Sequence, residues 1–424
     1  MAIGLELTIN DTTDQGGRYL TWAATPCQLR VSAPDGAVQP IPVTISTGAG
    51  SRGRLEFRMS RDGQAAGQLR AELPVDGEAV AFFVSGRFGS PSVDDGDTHI
   101  EIRNRDTGAV LSSVPVMVRI RKNANLLRPA ERDRFLSAIA RLNNQGQGLY
   151  QNYRDTHVDN TRLEAHGRHG FLPWHRAYLL DLERELQRID PAVTIPYWRF
   201  DQPAPNVFTA AFLGTTGTSG FARFLPSNPL RVWTTDGQIG ILRRPFFEPG
   251  TSAAHDDNGQ RVRREAVIVG FRGPFSTLTG PFESNPHGSA HDSFSGHVSA
   301  IGSAVRDPLF FLLHCNVDRL WAKWQWFNRR FDPQDPGTYQ FNGAAGTANA
   351  TRIGHNLRDT MWPWNGDTRN PRPATAPRTP FPDSPVTHLP GPAPTVGSMI
   401  DFQGLGPDAH HLGFDYDDVP YQPE

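Results

Sequence analysis

Twelve residues, Ala165–Arg176, constrain this chain more than any other stretch. They set His166, His169 and His175 around Gly167 and Gly170, just ahead of and behind Pro173. Histidine is fewer than one residue in thirty of the 424, so this density is unusual. Proline is tolerated in the first turn of a helix and not in its interior. The segment therefore predicts a loop that turns into a helix at Pro173, with Trp174 and His175 in its first turn. A second group, His287, His291 and His314, lies far downstream. His287 and His291 stand at i and i+4, so on a helix both rings leave one face about one turn apart. His314 can join them only through tertiary folding. Two imidazole groups in a chain with two cysteines point to two metals held side by side.

The remaining composition sets limits. The length allows a sizeable core and two domains. A formal charge of -2 and a pI near 6.7 give no electrostatic argument for nucleic acid or an acidic membrane as partner. No apolar run approaches the roughly 20 residues that span a bilayer. Met1–Asn10 lacks a basic n-region and an apolar h-region, so no signal peptide is expected. The expected location is cytoplasmic, although export with a helper protein would leave no mark here. With Cys27 and Cys315 alone, a disulfide framework and a thiolate metal cage are excluded.

Residues 1–118 alternate short apolar runs (Leu5–Ile9, Gln28–Val31, Ile41–Ile45, Val114–Val118) with Gly, Asp and Pro turns. That pattern predicts an all-β, sandwich-like domain. Near Arg121 it changes. Phe135, Ile139 and Leu142 recur at helical spacing behind Pro129, and Leu179, Leu182 and Leu186 form a stripe on a helix from Trp174 to Arg188. A third helix is expected around His287 and His291. Asp307 and Pro308 suit the N-cap and first position of a fourth, running to Trp324 and buried because it is apolar nearly all round. Residues 119–424 thus predict a mainly α domain, a four-helix bundle with its metal site in the core, wrapped by long irregular loops over about 330–398.

The first histidine group is open at one place. A loop must carry His166 back over the helix beginning near Pro173, and either His157, at the end of a helix from Tyr150, or His169 can complete it. Carboxylate-free triads suit copper better than zinc, iron or nickel. The His-Glu-x-x-His pattern of a zinc site with its own general base is absent.

Several segments, in order from about 119 to 424, resemble the tyrosinase and polyphenol oxidase family of type-3 dicopper proteins. His166–Tyr178, with Phe-Leu-Pro-Trp-His-Arg, is similar to the family's first copper motif, and Asp307–Trp321 to its second. Glu283–His291 resembles the Glu-x-x-Pro-His-x-x-x-His segment between them. Pro196–Trp198, Leu412–Tyr416 and Arg121–Asn123 resemble its Pro-Tyr-Trp, its closing tyrosine motif and its basic opening. The resemblance implies two copper ions: copper A on His157, His166 and His175, copper B on His287, His291 and His314. His169 falls where the family places no ligand. It also implies that dioxygen and a phenolic small molecule are the partners, with a copper-delivery helper as a further candidate.

Departures from the family carry information. Leu313 stands where relatives show the first of two adjacent histidines, which leaves His314 as the ligand. No cysteine lies between His157 and His166, so a thioether to a copper ligand cannot form. Glu283 matches an acidic residue that holds a water near the metals, but its usual Asn partner is Gly288 here. Gly288 in the substrate pocket implies weak monophenol hydroxylation, leaving mainly oxidation of o-diphenols or o-aminophenols to quinones. Asp292 is a candidate base near the entrance, and Ile301 falls where relatives place a residue facing substrate. A true tyrosinase and a haemocyanin-like oxygen carrier are the alternatives; the lack of repeated units argues for the enzyme. His99, His255, His297, His355, His388, His410 and His411 are expected to be surface or capping residues. The N-terminal domain could shield the site through Phe82, Phe83 or Phe88, or aid copper loading.

Overall fold

The computed structural model describes residues 4–33, 39–158, 162–167, 169–339, 354–370, 372–406 and 411–421, so His410 lies outside the described residues. The chain forms two compact units. One comprises Met1–Ile120 with Ser384–His388 and His411–Glu424; the other comprises Arg121–Asp383 and Leu389–His410. The division expected at 118/119 therefore differs by two short C-terminal segments. The buried backbone of Trp22 accounts for one of them: its amide donates to Asp415 Oδ2 at 3.0 Å, and its indole N–H to the Tyr416 carbonyl at 2.9 Å.

The first unit holds strands β1 (Gly4–Ile9), β2 (Tyr19–Leu20), β3 (Thr25–Ala33), β4 (Ile41–Thr47), β5 (Leu55–Arg58), β6 (Gln68–Leu73), β7 (Val80–Gly86), β8 (Thr98–Asn104) and β9 (Val110–Val118). They make a four-stranded sheet, β1-β3-β7-β5, and a five-stranded sheet, β2-β9-β8-β4-β6. All pairs are antiparallel except β2 with β9. The period of two sets the register: Ile41, Val43 and Ile45 are buried while Pro42 and Thr44 are half-buried, and Ile45 lies opposite Ile102. Leu29, Val31, Phe57 and Val84 from the first sheet join Val43, Ile100, Ile102 and Val116 from the second in one apolar core. Phe82 belongs to that core, beside Phe57, whereas Phe88 is 44% exposed and edge-on to Trp22.

The second unit holds helices α1 (Pro129–Leu142), α2 (Tyr150–Thr156), α3 (Arg162–Ala165), α4 (Phe171–Ile189), α5 (Glu265–Val269), α6 (Phe275–Phe282), α7 (Ser289–His291) and α8 (Leu309–Asn328). Helix α4 starts at Phe171, two residues before the expected Pro173. The Trp174 amide already bonds the Gly170 carbonyl at 2.9 Å, and Pro173 occupies a first-turn position whose amide would have no partner in the helix. At α8 the Asp307 carboxylate accepts the Leu309 amide at 2.9 Å while Arg243 pairs with it at 3.0 Å.

The expected helix around His287 and His291 is broken. After α6 the chain makes a wide π turn over Glu283–Gly288, in which Asn285 is extended (φ -144, ψ 115), and only Ser289–His291 is α-helical. Pro281 and Pro286 remove two amides here, so a regular helix could not keep its hydrogen bonds. Helices α4 and α8 are joined by buried charge. Asp318 on α8 accepts Arg176 of α4 at 2.6 Å and Arg121 at 3.3 Å, and Arg121 also pairs with Glu183 of α4 at 2.8 Å. The Arg176 guanidinium lies over the Trp321 ring at 3.7 Å. Among the described residues no helix is long and apolar enough to cross a membrane.

Candidate metal centre

Six buried or nearly buried histidines converge in the second unit. His157 follows the last turn of α2, its amide bonded to the Tyr153 carbonyl at 3.2 Å, and α2 is anchored by Tyr150 Oη donating to the Val305 carbonyl at 2.8 Å. His166 follows α3, and His175 lies in α4. His287, His291 and His314 come from the π turn, α7 and α8. In each of the groups His157/His166/His175 and His287/His291/His314, one nitrogen per ring lies within 4.8 Å of the others. Ring centroids within the first group are 5.0–5.7 Å apart, and within the second 4.8–5.2 Å. The groups adjoin: His175 and His314 stack at 4.2 Å with planes 8° apart. His169 stands outside both, its ring 6.2 Å from Phe275 and 6.3 Å from Tyr339.

Main-chain carbonyls fix which nitrogen points inward. His175 Nδ1–H donates to the Phe171 carbonyl (2.9 Å), His287 Nδ1–H to Glu283 (2.9 Å) and His291 Nδ1–H to Val298 (2.6 Å). A carbonyl can only accept, so Nε2 of each neutral ring keeps its lone pair. A short ribbon, Arg243–Pro245 against Phe294–Gly296, steadies the chain that presents the Val298 carbonyl. Inside the cluster, His175 Nε2, His287 Nε2 and both ring nitrogens of His157 are buried without a hydrogen-bond partner, and Nε2 of His291 and His314 come within 3.1 Å. Unpaired buried acceptors facing one another are costly, and an electrophile between them removes that cost. Burial, reinforced by the His291 imidazole, lowers His157 to about 3, and burial alone lowers His291 to about 4. Burial also holds His166, His175, His287 and His314 well below the usual range. Six neutral, lone-pair-bearing imidazoles in two adjoining triads fit two copper ions.

A pocket of about 330 Å³ opens beside the triads. Glu283, Gly288, Asp292 and Ile301 line it together with His157, His166, His287 and His291. The Glu283 carboxylate accepts the Gly167 amide at 2.7 Å, linking the two histidine segments in the pocket lining. Gly288 leaves open space: a Cβ there would meet only the Glu283 carbonyl oxygen, at 3.4 Å. Asp292 is half-buried, and burial followed by the nearby Asp257 and Asp256 raises its carboxyl above the ordinary value.

The common central domain of tyrosinase matches residues 147–327, a span that holds all six histidines. The tyrosinase of Streptomyces antibioticus is 30% identical over 275 residues, covering 59% of this chain and 94% of that protein. The chain belongs to the tyrosinase family. Grixazone synthase of Streptomyces griseus is 28% identical over 263 residues, covering 49% of this chain and 85% of that one. A functional unit of octopus hemocyanin gives a TM-score of 0.44 at 23% identity, over 71% of this chain and 69% of that chain. Tyrosinase-family proteins bind two copper ions and act on phenols with dioxygen, and the two triads are positioned to hold such a pair.

Sequence reasoning missed part of this tyrosinase-type site. Gly167, Ser299, Ala300 and Ala304 also line the pocket, and Phe171 and Phe310 pack against the triads. Phe310 sits one turn before His314, so the i, i+4 rule could have flagged it. Nothing local marks the other pocket residues.

Proposed function

We propose that this protein is a type-3 copper oxidase that converts o-diphenols to o-quinones, accepts o-aminophenols and hydroxylates monophenols weakly. Copper held by His157, His166 and His175 and by His287, His291 and His314 would supply the two-electron exchange between phenol and dioxygen. The protein does the positioning and the proton handling. Ile301 and Ala304 in the pocket lining would offer an apolar wall for the aromatic ring, and the Asp292 carboxylate, which also lines it, would receive a catechol proton. Glu283, held through Oε1 by the Gly167 amide, would orient a water.

Gly288 carries the specificity. Directly after His287 and beside Glu283, it presents no side chain that could hold that water toward an incoming monophenol. A phenol must lose its proton before it can bind as phenolate, and a base acting through a poorly held water is a poor acceptor. An o-diphenol has a second hydroxyl and is less dependent on that water. The pocket's size favours turnover over oxygen carriage, since it is in the range of small-molecule sites. The test is the initial rate of the copper-loaded protein on tyrosine, catechol and o-aminophenol. Catechol and o-aminophenol should be oxidised at once and tyrosine slowly after a lag; efficient, lag-free tyrosine turnover sinks the assignment.

A further inference from the structure

We infer that His355 is a positioning residue for His166: one imidazole ties together both ends of the loop that carries this ligand. The inference rests on the assignment of His166 to a copper, but not on which phenol is oxidised.

His166 is one of the ligands whose Nδ1 is not locked onto a main-chain carbonyl. His175, His287 and His291 each lock Nδ1 onto a nearby carbonyl, whereas His166 lies between the four-residue α3 and the start of α4, and its Nδ1 has no hydrogen-bond partner. Glu283 holds the middle of the stretch at the Gly167 amide, and its two ends, Leu163 and Gly170, are held from outside as well. His355 does this from a distant part of the sequence. Its Nε2 lies 2.7 Å from the Leu163 carbonyl, and its Nδ1 lies 3.0 Å from the Gly170 amide. A carbonyl only accepts and an amide only donates, so a single neutral tautomer, protonated at Nε2, satisfies both.

The fit is close and the clamp is rigid. A Cβ on Gly170 would stand 2.5 Å from His355 Nδ1 and 2.6 Å from the Gly354 carbonyl oxygen, so only glycine allows this approach. Gly354, with φ +81, passes equally near the Glu164 carboxylate. His355 is fully buried, and its backbone is fixed on both sides. Asp359 Oδ2 accepts the amides of Gly354, His355 and Asn356 at 3.0–3.1 Å, and Tyr339 Oη donates to the His355 carbonyl at 2.5 Å. The following chain grips the same segment: Glu164 accepts the Trp362 amide at 3.0 Å and pairs with Arg372, while Trp174 Nε1–H donates to the Trp362 carbonyl at 2.7 Å. The second triad does not touch this strap in its ring bonds, since those run to Glu283 and Val298. Loss of the His355 ring should therefore weaken one metal and spare the other.

The test replaces His355 in the full chain with Phe, which keeps a ring and removes both hydrogen bonds, and with Gln, whose amide can donate to Leu163 and accept from Gly170. Copper per chain is measured during a graded chelator challenge, with circular dichroism of the metal-free proteins to establish folding. The Phe variant should keep one copper firmly and give up the other about 10–100-fold more readily, leaving the paramagnetic signal of an isolated Cu(II). The Gln variant should recover part of the loss. Parental retention of both coppers, or parallel loss of both, overturns the inference. If the Phe variant does not fold, His355→Asn, whose shorter side chain can still accept from the Gly170 amide but does not reach the Leu163 carbonyl, carries the same test. Copper occupancy is read without substrate, so failure of the phenol-oxidase assignment and failure of this clamp give different results.

Discussion

At the scale of single residues, Gly288 and the six histidines make opposite demands on the chain. The histidines need every partner in place, while Gly288 matters for what it leaves out. Its backbone is helical (φ -55, ψ -48) and its Cβ position is open, so an Asn can be introduced without strain. Gly288→Asn should put an amide beside Glu283 and His287 and restore a hold on the water that takes the monophenol proton. One aligned hydrogen bond of about 1.4 kcal/mol would raise tyrosine hydroxylation on the order of tenfold. Catechol oxidation at equal copper content should change little. Initial rates on the two substrates check this, and an unchanged tyrosine-to-catechol ratio would place the specificity elsewhere in the pocket.

Among the elements, α4 and α8 set the distance between the two triads, and Asp318 joins them. It is buried between Arg121 and Arg176, so Asp318→Ala leaves two guanidinium groups without their shared counter-charge. Breaking a buried pair from one side costs about 3–5 kcal/mol. A urea titration of the metal-free protein should show a loss of that order; a change under about 1 kcal/mol would mean that Glu183, Gln325 and the Met399 carbonyl hold the arginines unaided. None of this network was legible in the sequence, because partners from Arg121 to Asp318 leave no local pattern. Helices α1, α4 and α8 were legible, since α1 and α4 carry a 3.6-residue apolar period, α8 is apolar nearly all round, and each has a proline near its start. The break at Asn285 was not, although Pro281 and Pro286 flanked it, because the i, i+4 spacing of His287 and His291 looks the same on a helix and across a π turn. The ligand types were legible for the same reason that His355 was not. Motif spacing marks ligands, but a clamp that bonds main-chain atoms can face any sequence.

For the whole molecule, the distribution of the site over the two units decides how the N-terminal region can be tested. All six histidines, Glu283, Asp292 and the Asp318 network belong to the second unit. We propose that residues 1–118 shield the copper site or aid its loading. Phe82 cannot serve, because it is 0% exposed within the core of its own sheets; Phe88, at 44%, can. Removing 1–118 alone would strip Asp415 and the Tyr416 carbonyl of the Trp22 groups they now accept. Residues 411–424 must therefore be removed with it, or exposure of a buried carboxylate would be mistaken for loss of a cover. The doubly trimmed chain should keep two coppers, since no ligand or buried arginine pair is lost, and its kcat/KM for catechol should rise. Equal copper with unchanged kcat/KM removes the cover. Reduced copper that recovers when the metal is present during refolding assigns residues 1–118 to loading instead.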